Sequence, residues 1–349
     1  MVRHVAIGVM LVWLCVAAAW SAELSDQQVV EVLATEAPRD AAIRRGLDHL
    51  RSRQRADGSL SDNVPAALAS LAAMAHLSAG ITPEDAVHGQ WLRQTLEFVL
   101  SKQDENGYFG SRDGSRMYGH GIATLMLAEA LGMCRDDELD ERIRTALERA
   151  VAVTVAAALV VKEPFFQGGW RYTPTDTSSD LSLSGWQLMS LHAAQQVGIA
   201  VPDPVIASAV SFAKRLTTAD GTVGYDHAGD DHPALRGLSI LCHALAHEEQ
   251  ASEVARIAAR IQADPLQWQG AWVFYRAYYD AVGMSRGAPE QWDAYAPVLE
   301  KVLIDHQNPD GSWPNPPGDD EGTHGTVYLT SMAVLALAVQ RHVLPAYQR

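Results

Sequence analysis

The sequence is poor in cysteine, in aromatic residues and in basic residues. It has 3 cysteines and 7% aromatic residues in 349, and its 27 Lys and Arg face 42 Asp and Glu, for a net charge of −15. Such an acidic chain does not offer the clustered Lys and Arg that nucleic acid or an anionic membrane requires. With Cys15 in an N-terminal apolar run, only Cys134 and Cys242 remain, both in apolar helical patterns. We interpret them as buried thiols, because two cysteines are too few for a disulfide framework.

The N-terminus has the pattern of a secretory signal. An apolar run from Val5 to Trp20 follows Arg3 and ends in small residues, with Ser21 and Ala22 at the best cleavage positions. This run is shorter than the roughly 20 residues of a membrane span. We therefore predict a signal peptide over residues 1–22 and export to the periplasm or the medium. No transmembrane span is predicted after cleavage, although an uncleaved run would anchor the protein.

Strand patterns are almost absent, whereas one turn recurs along the chain. In its full form a Gln is followed by Gly four residues later and by Leu, Phe or Trp two residues after that. Three full copies, two looser ones and one degenerate one make six units of about 50 residues, which is typical of a solenoid or a closed ring. The copies are Gln54–Leu60, Gln103–Phe109, Gln307–Trp313, Thr217–Val223, Gln167–Trp170 and Gln262–Trp268.

The segments around the turns predict two kinds of helix. Before a turn the apolar residues follow one helical face, as Trp91, Leu92, Leu96 and Val99 do. After a turn the pattern is apolar almost all round, which requires a helix covered on every side. We therefore predict one all-α domain over residues 23–349, an (α/α)6 toroid of six helical hairpins with QW-like turns. The all-round apolar segments are 66–77, 121–133, 185–199, 234–246 and 328–339.

These turns and helices resemble the prenyltransferase and squalene-oxidase repeat proteins, relatives of squalene–hopene cyclases. The segments Met117–Leu125, Gly168–Tyr172 and Ser184–Met189 are similar to an exported bacterial subgroup of that family. The resemblance covers residues 40–349. It implies the toroid fold and a terpenoid-cyclase-like protein that binds a hydrophobic molecule, such as an isoprenoid, in its central cavity.

The resemblance implies an acid that the sequence does not supply in the usual form. Such cyclases protonate a carbon–carbon double bond with an Asp-x-Asp-Asp motif, and this motif is absent. The nearest acidic residues before inner helices are Asp176, Asp180 and Asp231, with Asp319–Glu321 in the last unit. We take the first three as candidate catalytic acids. The competing interpretation is that Asp180, with Ser182, caps the third inner helix, as Asp and Ser do at many helix starts.

Aromatic and histidine side chains provide the candidate ligand contacts. Aromatic rings can stabilise a carbocation, and the residues expected to line the pocket are His120, Trp186, Trp272 and Tyr328. His120, His232 and His324 precede the inner helices of units two, four and six, so they could surround one mouth of the ring and hold zinc. A shared ion would need all three within about 2.1 Å. No cofactor is otherwise expected, because the zinc pattern of protein prenyltransferases is replaced by Gln267–Gly270.

Three functions remain open from the sequence. The first is an exported toroid that binds a hydrophobic ligand or lipid and uses acid catalysis. The second is a non-catalytic scaffold or binding protein of the cell envelope, whose partner is a lipid, a glycan, a peptide or another protein. The third is a glycan lyase or hydrolase, for which His120, Arg171 and Asp231 would have to meet in the mouth.

Overall fold

The computed structural model describes residues 36–341, 343 and 344. The predicted signal peptide lies outside these residues. The chain divides into a short N-terminal segment that ends at Ala41 and a large compact body from Ala42 onward. The large body contains the toroid.

Twelve α-helices occur in the described residues, and they alternate between an outer and an inner position. The outer helices are α1 (Pro38–Ser52), α3 (Gly89–Leu100), α5 (Asp137–Ala158), α7 (Asp203–Arg215), α9 (Ser252–Ala263) and α11 (Pro289–Asp305). The inner helices are α2 (Pro65–Ser78), α4 (Arg116–Ala130), α6 (Leu181–Gln196), α8 (Arg236–Leu245), α10 (Val273–Gly287) and α12 (Gly325–Ala338). Short 3₁₀ turns cover Pro233–Leu235, Glu321–His324 and Val339–Arg341.

The inner helices form a closed ring. Each one packs against the next in chain order, and α12 packs against α2 to complete the circle. Nearly every residue of α2, α6 and α8 is buried, whereas α9 buries only one face. A helix without a polar face is stable only when neighbours cover it on all sides. The predicted all-α toroid of six hairpins is therefore confirmed, and no strand longer than an isolated bridge occurs in the described residues.

The recurring turn joins each unit to the next one. In the full copies the glutamine side chain donates Nε2–H to a backbone carbonyl of the following outer helix, at 2.8 Å for Trp91, 2.8 Å for Ala146 and 2.9 Å for Ala42. The last of these bonds runs from Gln307 in the sixth unit to α1 in the first. The turn thus closes the outer ring as well as ending a helix.

The turn glycines have a left-handed backbone and touch the next outer helix. An added Cβ on Gly311 would lie 2.1 Å from the Arg45 carbonyl oxygen, and on Gly58 it would lie 2.4 Å from that of Gln94. Only glycine combines this conformation with such a close approach at low cost. The apolar residue after each turn is buried against the core: Leu60, Phe109, Trp170, Val223, Leu266 and Trp313.

The fifth unit replaces the turn contact with a tyrosine. It has no turn glycine, and the Leu266 N–H donates instead to the Tyr295 hydroxyl from α11, at 3.2 Å. That hydroxyl donates in turn to the buried Asp280, at 3.0 Å. The degenerate copy predicted from the sequence is therefore a real unit, but its loop is held by a different group.

One helical stretch in the described residues, Glu321–Arg341, is long and apolar enough to cross a membrane by length and composition alone. Of its most apolar window, 67% is buried inside the protein. This is the burial of an inner helix, because α12 closes the ring.

Candidate functional site at the mouth of the ring

The six inner helices run in the same direction, because outer and inner helices alternate along the chain. Their N-terminal ends therefore share one mouth of the ring. A polar group at this mouth, which we call the rim cluster, comprises Arg171, Tyr172, Asp180, Tyr225 and Asp226. Its members come from the two long loops that precede α6 and α8.

Arg171 is the centre of the rim cluster. Its Nη1 lies 3.2 Å from Asp180 Oδ2 and 3.7 Å from Asp226 Oδ2. Its guanidinium also lies over two aromatic rings, 4.9 Å from the centroid of Tyr172 and 5.3 Å from that of Tyr225. The two tyrosine hydroxyls are 3.2 Å apart. A cation between two carboxylates and two rings is held in one orientation.

Backbone hydrogen bonds fix the two loops that carry the cluster. The Asp180 N–H donates to the Trp170 carbonyl at 3.0 Å, and the Leu181 N–H donates to the Tyr225 carbonyl at 2.8 Å. The buried Lys162 ammonium donates to the Gly169 carbonyl at 2.8 Å. Loops tied by such bonds position side chains more rigidly than free loops do.

Asp180 is the most buried member of the cluster. Its Oδ1 accepts the Leu183 N–H at 2.8 Å, so it caps α6 as the competing interpretation predicted. Burial raises the pKa of Asp180 to about 6, although the Leu183 hydrogen bond and the Arg171 charge both favour the carboxylate. The side chain of Asp180 is 0% exposed, against 20% for Arg171 and 35% for Asp226. A ligand that enters from solvent therefore reaches Arg171 and Asp226 before Asp180. Asp180 lies behind Arg171 and holds its guanidinium in place.

Behind the rim cluster, side chains fill the centre of the ring. Tyr118 from α4 and Tyr275 from α10 both bond to the Ser182 hydroxyl, at 2.8 and 2.9 Å. Since α4 and α10 are opposite members of the inner ring, this chain of hydroxyls crosses the axis. Trp186, one predicted pocket residue, is buried beneath it and stacks on Tyr278 with ring centroids 5.7 Å apart. Trp186 therefore packs in the centre.

Asp176 and Asp231 have structural partners. The Asp176 carboxylate accepts the N–H of Thr173 in its own loop, at 2.8 Å. Asp231 accepts the Val223 N–H at 3.2 Å and pairs with Arg236. Burial alone would raise the pKa of Asp231, but the hydrogen bonds from Arg236 and Val223 outweigh it and the pKa is lowered. A carboxylate held in its charged form in this way is a poor proton donor, so the structure does not favour Asp231 as an acid.

The predicted histidine ring does not converge on a metal. His120 lies between α4 and α5, where its Nε2 bonds to the Ala150 carbonyl at 3.1 Å and its Nδ1 accepts the Phe109 N–H at 3.4 Å. Its two nitrogens are occupied and it is fully buried, which removes it from the predicted pocket as well. His324 lies instead beside Tyr328, with ring centroids 5.1 Å apart. In the described part of the chain, His120, His232 and His324 form no metal-holding group, and no other three His, Cys, Asp or Glu do so.

Trp272 precedes the first residue of α10, and Tyr328 lies in the first turn of α12. Trp272 is 40% exposed and adopts a left-handed backbone with φ 62°, which is strained for a bulky residue. Its N–H donates to Asp319 at 3.1 Å. Tyr328 donates its hydroxyl to Glu321 at 2.8 Å, so its polar end serves a buried carboxylate. Trp272 is thus the predicted pocket residue that offers an aromatic surface to solvent.

The last unit caps α10 with two carboxylates that the sequence did not assign. Glu321 accepts the N–H groups of Phe274 and Tyr275 at 2.8 and 3.0 Å. Asp319 accepts the Val273 N–H at 3.0 Å. The acidic string 319–321 was visible in the sequence, but the cap acts across 46 residues or more of chain. Only the closed ring brings it to this helix.

The buried histidines predict that the protein loses stability in mild acid. Desolvation lowers the pKa of His76 to about 3 and those of His120 and His192 to about 4. A lowered pKa means that the folded state prefers neutral imidazole, so this stability is complete above the ordinary value of 6.5 and is lost as the pH falls towards 4. Asp180 and Asp280, with pKa values raised to about 6, and Glu321, with a pKa raised to about 8, act in the opposite direction, but the groups with a lowered histidine pKa are more numerous.

We expect the free energy of unfolding to fall by about 1–2 kcal/mol between about pH 7 and pH 4.5. Denaturant unfolding at the two pH values measures this loss. The variant His120→Gln keeps a donor for the Ala150 carbonyl but cannot be protonated, so its loss should be smaller. An equal loss in the variant would show that His120 does not contribute to the acid sensitivity.

Comparison with known proteins supports the fold. No protein-family model and no curated protein matches the sequence. A solved structure of a protein from Actinoplanes is similar, with 18% identity, a TM-score of 0.55, and coverage of 86% of this chain and 98% of that one. A type II terpene cyclase from Scytonema, bound to its product merosterolic acid A, has 15% identity, a TM-score of 0.54, and coverage of 88% and 97%.

A glycoside-cleaving enzyme is equally similar in structure. The GH76 alpha-mannanase from Bacteroides thetaiotaomicron has 12% identity, a TM-score of 0.54, and coverage of 89% of this chain and 98% of that one. At such identities the likeness shows the fold alone. Enzymes that act on terpenes and on glycans both use this scaffold, so function depends on the side chains at the site. The chain is an all-helical α/α toroid with a polar rim cluster at one mouth.

Proposed function

We propose that the protein is an exported α/α toroid that binds a hydroxyl-rich ligand, a glycan, at the rim cluster. The observation that supports this most is the arrangement of Arg171, whose guanidinium lies between the carboxylates of Asp180 and Asp226. Arg171 supplies donors in a fixed plane, and the partly exposed Asp226 supplies acceptors. Adjacent hydroxyls of a sugar need such donors and acceptors side by side.

The packing of the ring centre favours this ligand over a large hydrophobic one. Tyr118, Ser182 and Tyr275 are bonded across the axis, and Trp186 and Tyr278 stack below them. A polyene would have to displace these buried groups, whereas a glycan at the rim displaces only water. For a glycan-active enzyme, the sequence pointed to His120, Arg171 and Asp231. Of these residues only Arg171 belongs to the rim cluster, and Asp180 and Asp226 take the carboxylate positions.

A hydrophobic ligand remains the second candidate, supported by the aromatic layer itself. Trp186, Tyr275, Tyr278 and Tyr279 lie together beneath Asp180, with Tyr275 and Tyr279 centroids 4.6 Å apart. An acid above an aromatic layer would suit a terpene-like cation. This candidate requires the layer to open and Asp180 to come into contact with the ligand.

The proposal is tested by binding of defined ligands to the purified chain. The probes are neutral hexasaccharides of mannose, glucose and N-acetylglucosamine, with geranylgeraniol in detergent for the second candidate. We expect a hexasaccharide to bind and Asp226→Asn to weaken it about tenfold, the effect of one charge-assisted hydrogen bond. Asp230→Asn, an exposed change in the same loop, is the matched control and should leave binding unchanged.

The outcomes separate the two candidates. Binding of geranylgeraniol alone, abolished by Asp180→Asn but not by Asp226→Asn, would overturn the glycan proposal in favour of the second candidate. Binding of no probe would overturn both and leave the scaffold function, for which protein partners would be sought. Melting temperatures of all variants distinguish a lost contact from a lost fold.

A further inference from the structure

A recess in the surface lies at the degenerate fifth unit. It has a volume of about 540 Å³ and is bounded by Asp264, Gln267, Gln269, Gly270, Arg276 and Gly318. The Gly270 N–H donates to the Pro317 carbonyl at 3.0 Å and joins the two loops that form its walls. The rim cluster contributes none of these residues.

The recess coincides with the departure of the fifth unit from the repeat. In the other units a turn glycine packs on the next outer helix and leaves no gap, as Gly311 does on α1. In the fifth unit the Tyr295 hydroxyl bonds to the Leu266 N–H instead. The loop from Asp264 to Gly270 therefore has no glycine packed on the next outer helix. Departures from a repeat that leave a lined space are expected where a site has been built.

The polar lining is charge-balanced. Arg276 is only 12% exposed, and it pairs with Asp264 at 3.5 Å and with Asp280 at 3.4 Å. Since its charge is already compensated, the recess offers little net attraction to an anion. Gln267 and Gln269 are exposed and bond to each other at 2.9 Å, so they add amide donors and acceptors to the wall.

The backbone of an exposed aromatic residue joins the two walls of this recess: the Trp272 N–H donates to Asp319, which follows the lining residue Gly318. Trp272 follows Gly270 by two residues, is 40% exposed and has the strained backbone described above. Strain of this kind persists only where the surroundings enforce it, and it is concentrated at binding sites. Amides, a compensated guanidinium, a carboxylate and an exposed indole together match the alternating hydroxyl and C–H surfaces of a neutral sugar.

We infer that this recess is a second glycan-binding site, built on the fifth unit and separate from the rim cluster. The class of ligand in this inference rests on the proposed function, whereas the location of the site rests on the recess itself. It assigns Gln267 and Gln269 as hydrogen-bonding residues and Trp272 as the aromatic platform.

The test compares variants of the whole protein in titrations with the same three hexasaccharides, followed by indole fluorescence and by calorimetry. The double variant Gln267→Ala with Gln269→Ala should weaken binding about fivefold to tenfold, for one or two lost hydrogen bonds. Trp272→Phe should abolish most of the fluorescence change. Gln196→Ala with Gln262→Ala, two exposed glutamines outside the recess, is the matched control and should bind like the parent.

Failure of this inference is distinguishable from failure of the proposed function. If Asp226→Asn weakens binding but the glutamine double variant does not, the recess is not a binding site and the rim cluster stands. If the double variant weakens binding and Asp226→Asn does not, the recess stands and the rim proposal falls. Effects of both support both sites, and the absence of any binding overturns both.

Discussion

Gly311→Ala is expected to lower the stability of the whole ring by about 3 kcal/mol or more. The left-handed backbone at φ 86° costs an alanine about 1–2 kcal/mol by itself. The new Cβ would also lie 2.1 Å from the Arg45 carbonyl oxygen, so α1 and the last turn would have to separate. This is the contact through which the sixth unit closes on the first, supported by the bond from Gln307 to Ala42. Denaturant unfolding followed by circular dichroism measures the loss.

Gly229→Ala is the matched control. Gly229 has a similar backbone, with φ 96°, but an added Cβ there would meet nothing within 4 Å. It should cost only the backbone term, about 1–2 kcal/mol. Equal losses in the two variants would mean that the close approach to α1 adds nothing. A clear difference isolates the contribution of the ring closure.

The ring could be predicted because its determinants repeat. Five of the six turns keep a glycine, at 58, 107, 168, 221 and 311, and the structure shows why: each lies against the backbone of the next outer helix. The apolar inner helices are equally regular, since a helix surrounded by neighbours tolerates almost no polar side chain. In these segments the local sequence pattern and the tertiary contacts favour the same structure, so the fold can be predicted from the sequence.

The site could be predicted only in part, because it is made where the repeat is broken. Asp180 was recognised both as an acid and as a cap, and the structure pairs it with Arg171, which also pairs with Asp226. The pairing with Asp226 joins loops from two units, which no local pattern encodes. His120 failed as a pocket residue because its position on α4 directs it at α5, where the Ala150 carbonyl and the Thr154 hydroxyl accept a hydrogen bond from its Nε2–H. The spacing of the histidines predicted which repeat each one belongs to, but not where its side chain points.

Glu321→Ala is expected to cost about 3–4 kcal/mol, the second large effect. The change leaves the N–H groups of Phe274 and Tyr275 and the hydroxyl of Tyr328 without their acceptor in a buried place. Unpaired buried donors cost about 1–3 kcal/mol each, and partial relaxation keeps the sum below the maximum. Glu290→Ala, an exposed change in the first turn of α11, is the control and should cost about 0.5 kcal/mol. Thermal and denaturant unfolding measure both.

The conservative variant Glu321→Gln separates the shape of this cap from its charge. Burial and the neighbouring Asp319 raise the pKa of Glu321 to about 8, so the folded state holds a neutral carboxyl more readily than the unfolded one does. This contribution to stability is therefore complete below about pH 4.5 and is lost as the pH rises to about 8. Glutamine keeps one carbonyl acceptor and cannot ionise, so the variant should lose about half as much stability as Glu321→Ala near pH 7. Between about pH 5 and 8 its stability should therefore rise more with pH than that of the parent does. A variant with the same pH profile of stability as the parent would show that Glu321 does not titrate in this range and acts as a hydrogen-bond acceptor alone.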